Sequence, residues 1–160
     1  DRVPGRMERV EGGAVDVVVD YAHTPDALKH ALQSLRETAG GALAIVFGCG
    51  GDRDRGKRPE MGAVAARFAD RIYLTSDNPR SEEPAAIAAE VAAGIQGRSY
   101  AVELDRRRAI ERAIDEAAPG DVVLVAGKGH ERSQVIGDRV VAFDDVVVAK
   151  NALLRRAAMR

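Results

Sequence analysis

The sequence predicts a three-layer α/β fold built on a mostly parallel sheet. Two observations point to it. Short apolar runs at residues 14–20, 42–47, 71–75, 99–104 and 121–126 alternate with segments of helical periodicity. That is the order that yields parallel strands joined by right-handed crossovers. Several runs are apolar at successive rather than alternate positions, as in Val17-Val18-Val19 and Val122-Val123-Leu124-Val125, which suits strands covered on both faces.

Each element has a local reason. Gly12-Gly13 signals a turn before the first run. Thr24 is a helix cap, and Pro25 takes the first helical position, where its missing N–H costs nothing. Leu28, Ala31, Leu32 and Leu35 then recur at helical spacing until Gly40-Gly41. After the second strand a polar loop, residues 48–58, leads to a helix expected near Pro59, with Met61, Val64, Ala65 and Phe68 on one face. Beyond the third strand Pro79 turns the chain, and Ser81 is the candidate cap of an alanine-rich helix over 84–95. Asp105 caps a helix carrying Ile110, Ala113, Ile114 and Ala117. Gly137-Asp138, between apolar stretches at 134–136 and 140–143, is a hairpin signal. This hairpin is expected to add an antiparallel edge to the sheet. Asp144 caps a last helix reaching about residue 155. The expected organisation is a linker at 1–11, one domain at 12–155 and a frayed tail at 156–160.

The 160 residues suit one domain with a real core. Basic and acidic residues, 24 against 25, nearly cancel, so no global field favours nucleic acid or an anionic membrane. Cys49 is the single cysteine and has no internal disulfide partner; no cysteine spacing suggests a metal site. No apolar run approaches the roughly 20 residues of a membrane span, and no secretory signal opens the chain. A cytoplasmic location fits these features. The first residue is Asp1 rather than methionine, and the expectation is a piece of something longer.

In a parallel sheet the loops leaving the strands open on one edge, where ligands bind. Four of them here are polar. Asp77-Asn78-Pro79-Arg80 gathers a carboxylate, an amide and a guanidinium at a turn; an arginine there can grip a carboxylate with paired hydrogen bonds. The same turn would also serve merely to lead into a helix. Residues 51–58 nearly match the phosphate loop G-x-x-x-x-G-K-[ST], but Arg58 stands where a hydroxyl must ligate Mg²⁺, and Pro59 follows. Arg53 is then better read as a ligand for an anionic group. Gly127-Lys128-Gly129-His130-Glu131 pairs flexible backbone with a carboxylate suited to an ammonium group. In Asp20-Tyr21-Ala22-His23 the aspartate could bond a ribose and the histidine could face phosphate, although capping alone explains Thr24 and Pro25. Arg53 and Arg80 for carboxylates, with Asp77 and Glu131 for ammonium, suit a zwitterionic amino acid better than a nucleotide.

These segments, together with Val3-Pro4-Gly5-Arg6-Met7-Glu8-Arg9, stand in the order and spacing of one family. The chain resembles the C-terminal domain of the Mur ligases, in the branch that adds meso-diaminopimelate to UDP-N-acetylmuramoyl-L-alanyl-D-glutamate during peptidoglycan synthesis. The resemblance covers essentially the whole chain. It implies a Rossmann-like sandwich and an ATP-dependent, amide-forming reaction through an acyl phosphate. It implies that Arg53, Asp77, Asn78, Arg80, Gly127 and Glu131 bind meso-diaminopimelate, and that Arg6, Asp20, Tyr21 and His23 reach ATP. The Asp-Asn-Pro-Arg form separates this branch from lysine-adding relatives, which lack the arginine. The family's phosphate loop, Mg²⁺ ligands and UDP-sugar site belong to other domains, so this stretch holds no metal and is expected to be inactive alone. The alternatives are an L-lysine-adding Mur ligase domain and a non-catalytic module that binds amino acids or nucleotides.

Overall fold

The computed structural model describes residues 5–159; residues 1–4 of the expected linker and Arg160 of the expected tail lie outside them. A six-stranded sheet has the order β1-β2-β6-β3-β4-β5. Its strands are β1 (Glu8–Val10), β2 (Asp16–Asp20), β3 (Leu43–Phe47), β4 (Arg71–Leu74), β5 (Ala101–Val102) and β6 (Val122–Ala126). Only β1 runs antiparallel; β2, β6, β3, β4 and β5 are mutually parallel.

The successive valines and leucines divide between two cores. Val18, Leu43, Ile45, Phe47 and Leu124 face one side, with helices α1 (Pro25–Thr38), α2 (Lys57–Phe68) and α3 (Pro84–Ala92). Val17, Val19, Val46, Val123 and Val125 face the other, with α4 (Arg106–Glu116) and α5 (Asp145–Ala158). Burial on both faces is why these strands read as continuous apolar runs. The caps at Thr24, Asp105 and Asp144 form, each side chain accepting a backbone N–H from the first turn.

Four expectations need correction. The antiparallel edge is β1, from the stretch read as linker: Val10 is buried and pairs with Val17, covering an otherwise open edge. The C-terminal hairpin, β7 (Ser133–Ile136) with β8 (Arg139–Ala142), forms a separate two-stranded sheet. Its outer backbone is engaged by Arg80, which bridges to Ile136. The tail does not fray at 156: α5 runs to Ala158, and the buried Arg156 donates to the carbonyl of Ala117 across 2.8 Å. Finally, α2 begins at Lys57, two residues before Pro59; a proline in the first turn sacrifices no intrahelical bond.

Local details differ at α3 and β5. Ser81 is not the cap of α3, whose preceding residue Glu83 makes no side-chain capping bond. Ser81 instead donates to Asp52 Oδ1 across 2.7 Å. The helix stops at Ala92, and β5 is two residues long, although Glu103 N–H extends the pairing to the carbonyl of Leu74. No helix among the described residues is long and apolar enough to cross a membrane.

Candidate functional site

The order β2-β6-β3-β4 brings the loops after four adjacent parallel strands to one edge. They enclose a pocket of about 420 Å³ lined by Tyr21, His23, Arg53, Lys57, Asp77, Asn78, Arg80, Gly127 and Glu131, among others. All six residues expected to bind an amino acid line it, from three different loops. Of the four expected to reach a nucleotide, Tyr21 and His23 line it; Arg6 and Asp20 do not.

The β3 and β4 loops are fastened together. Gly51 N–H donates to the carbonyl of Asn78 at 2.7 Å, and Arg80 Nη1 donates to the carbonyl of Gly51 at 2.8 Å. A Cβ at Gly51 would fall 1.8 Å from the carbonyl oxygen of Pro79, so only glycine permits this approach. Arg80 adopts φ +52°, a left-handed conformation that side chains other than glycine seldom take. Its strain is offset by the hairpin: Arg80 N–H donates to Val135, and Gly137 N–H donates to Arg80. Among the described residues neither Arg53 nor Arg80 forms an ion pair. Two guanidinium groups at one pocket without carboxylate partners are suited to an anionic ligand.

The near phosphate loop has a different use. Arg58, at the position where a hydroxyl would be needed, is fully buried and bonds Glu82, Glu90 and the carbonyl of Gly50. Glu82 also accepts Asp52 N–H at 2.6 Å. The Arg58 guanidinium, followed by that backbone bond, holds the Glu82 carboxyl down to about 2. Lys57 Nζ donates to the carbonyl of His23 at 2.8 Å, tying α2 to the loop after β2. Cys49 lines the pocket, yet burial pushes its thiol up to about 11, which leaves it protonated and unreactive.

Gly127 has φ +116°, and a Cβ there would stand 2.6 Å from Asp77 Oδ2. The glycine therefore makes room for the carboxylate. Lys128 had no assigned role in the sequence reading, yet it is fully buried, with Nζ 2.8 Å from Asn78 Oδ1, 3.5 Å from Glu131 Oε1 and 3.7 Å from Asp77 Oδ1. Lysine is seldom buried without such partners, but nothing in a one-dimensional pattern marks this one as internal.

Around the loop after β2, the Arg6 guanidinium lies 5.1 Å from the Tyr21 ring centroid, and the Tyr21 and His23 rings are 4.6 Å apart. Asp20 is buried beneath them. Its Oδ1 accepts Met7 N–H at 2.7 Å and its Oδ2 accepts Ala22 N–H at 2.9 Å. It braces the backbone beside Arg6 and Tyr21. Among the described residues no group of three or more His, Cys, Asp or Glu side chains could hold a metal ion.

An α/β domain whose strand-end loops gather guanidinium, amide and carboxylate groups around one pocket has the architecture of the open-sheet class, in which ligands bind beyond the strand ends. The chain belongs to the Mur ligase family: the model for the Mur ligase, glutamate ligase domain matches residues 5–129. It is 58% identical, over 96% of its length, to a UDP-N-acetylmuramoyl-L-alanyl-D-glutamate–2,6-diaminopimelate ligase of Prochlorococcus marinus strain MIT 9313. It is 55% identical, over 94% of its length, to the ligase of the same name from Coxiella burnetii. The chain spans about a third of these relatives, 32% and 31% respectively. A solved structure of a ligase bearing that name superposes with a TM-score of 0.91 at 45% identity, covering 98% of this chain and 33% of the other. A folylpolyglutamate synthase/dihydrofolate synthase from Yersinia pestis, solved with AMPPNP and Mn ion, matches 79% of this chain and 28% of its own, at 26% identity and a TM-score of 0.62.

Proposed function

We propose that this chain is the amino-acid-binding domain of an ATP-dependent ligase that joins meso-diaminopimelate to UDP-N-acetylmuramoyl-L-alanyl-D-glutamate in the cytoplasm, a step of peptidoglycan synthesis. The observation that carries the reading is the pocket where Arg53 and Arg80, without ion-pair partners among the described residues, stand beside Asp77, Asn78, Gly127 and Glu131. The high identity to ligases named for 2,6-diaminopimelate supports it.

Diaminopimelate carries an amino-acid group at each end. In this reading Arg80 and Arg53 hold the carboxylate of one end, while Asp77 and Glu131 receive its ammonium. Asn78 and Gly127 shape the wall between them. The opposite amine is left free to attack. L-Lysine lacks the second carboxylate, on the distal carbon, so presenting its α-amine for attack would leave the guanidinium groups unpaired, and an unsatisfied polar group is costly. That cost favours diaminopimelate over the lysine-adding alternative.

ATP supplies the phosphoryl group that activates the acceptor's carboxylate. On this chain Arg6, Tyr21 and His23 are the groups proposed to meet it, a guanidinium for phosphate and rings for stacking. Asp20, also expected near the ribose, holds the backbone that carries Arg6 and Tyr21. Mg²⁺ and the UDP-sugar are proposed to be held by parts of the longer enzyme. The chain alone is therefore expected to form no amide.

Calorimetric titration of the chain with meso-diaminopimelate and L-lysine tests the proposal. Binding of diaminopimelate at least tenfold tighter than lysine is expected. Equal binding, a preference for lysine, or no binding of diaminopimelate would each overturn it, and amide formation by the chain alone would refute its incompleteness.

A further inference from the structure

Lys128 lies beneath the pocket and is not among its lining residues. Its side chain is fully buried, and its ammonium sits among three acceptors that belong to two different walls. Asn78 and Asp77 come from the loop after β4, whereas Glu131 comes from the loop after β6. We propose that Lys128 is a positioning residue that fixes which way the Asn78 amide points and how far apart the Asp77 and Glu131 carboxylates stand. This rests on the reading of the pocket as the diaminopimelate site.

The amide argument is a matter of valence. Asn78 Oδ1 accepts from Lys128 Nζ at 2.8 Å and from Val135 N–H at 2.9 Å. Two donors identify that atom as the oxygen and saturate its two lone pairs. The NH₂ group is left on the pocket side, where it can only donate. A ligand carboxylate is welcome there and an ammonium is not. With Val135 alone as donor, the amide would lose half of what orients it.

The charge argument concerns the two carboxylates. Asp77 and Glu131 line the same pocket and repel each other. A cation about 3.5–3.7 Å from one oxygen of each offsets that repulsion. It also engages one oxygen of each group from below and leaves the other for a ligand. Burial makes the arrangement stiff: a fully enclosed side chain touching both walls cannot move without moving them.

Lys128→Met keeps an unbranched side chain, one heavy atom shorter, and removes the charge and donor. The chain titrated with meso-diaminopimelate should bind at least tenfold more weakly as K128M. The double variant K128M/N78A should lose less affinity than the two single losses combined, because part of what Lys128 does runs through Asn78 and the rest through the two carboxylates. Wild-type affinity in K128M, or full additivity in the double variant, would overturn the proposal. Two readouts need no ligand and separate this proposal from the pocket assignment. In the wild type, Lys128 should give a slowly exchanging ammonium signal by nitrogen-15 NMR, and the Asn78 side-chain amide pair should shift in K128M. Absence of the ammonium signal would overturn the proposal even if K128M failed to fold. An unmoved Asn78 pair in folded K128M would do the same. Both signals present without diaminopimelate binding would sustain Lys128's role while rejecting the assigned ligand.

Discussion

Arg80 and Gly51 hold each other across the mouth of the pocket: the guanidinium donates to the Gly51 carbonyl at 2.8 Å, while Gly51 N–H reaches back to Asn78. The residue proposed to read the ligand's carboxylate is thereby built into the joint between two loops. Its remaining donors are aimed rather than free to swing, which lowers the entropy lost on binding.

Replacing Arg80 with alanine should therefore erase discrimination. The unpaired-group penalty is about 1–3 kcal/mol, so preference for meso-diaminopimelate over L-lysine should fall by roughly 5- to 150-fold. Competition titration checks this. A lysine at position 80 should not restore it, because an ammonium lacks the planar fork.

Gly127→Ala meets two obstacles, a φ of +116° and a Cβ placed 2.6 Å from Asp77 Oδ2. Positive φ at such a site costs about 1–3 kcal/mol. Urea denaturation should show a loss of at least that size, with diaminopimelate binding weakened further because Asp77 must shift.

The buried pair of Arg106 and Asp145 joins α4 to α5, and Arg106 also donates to the carbonyls of Ser76 and Ala126 at the ends of β4 and β6. Neither side chain is exposed. Arg106→Met should destabilise the fold by about 3–5 kcal/mol, since it strands a buried carboxylate. The double variant R106M/D145L should recover a substantial part of this in the same denaturation experiment.

Glu82 gives a pH signature. Its folded-state pKa is depressed to about 2 by Arg58, below the ordinary carboxylate value of roughly 4.3. A depressed acid contributes stability that is complete above its unfolded pKa and disappears as pH falls through the folded one. Melting curves of the wild type and Glu82→Gln should differ most at pH 6–7, converging as pH approaches about 2.

The parallel strands, the helix caps and the polar loops gathered on one edge were legible because each rests on a local rule: unbroken valines, a Thr or Asp before a helix, a proline at a turn. The misreadings share one cause, that nothing local states who the partner is. Residues 8–10 carry too short a pattern to announce β1; its existence depends on the open edge of β2. The hairpin was visible, but its attachment to Arg80 instead of a sheet edge was not. Arg58 looked like a flaw in a phosphate loop, and only the spatial approach of Glu82 and Glu90 shows it to be a clasp. Lys128 stood inside a segment already singled out, and its burial is a property of the folded loops alone.

Because β7 and β8 stand outside the main ladder, while their backbone bonds the Asn78 side chain once and the Arg80 backbone twice, two residues that line the pocket are seated on a ribbon that lines none of it itself. Lengthening the turn at Gly137, whose N–H holds the Arg80 carbonyl, would therefore loosen the seat of that guanidinium without re-threading a single strand of the central scaffold.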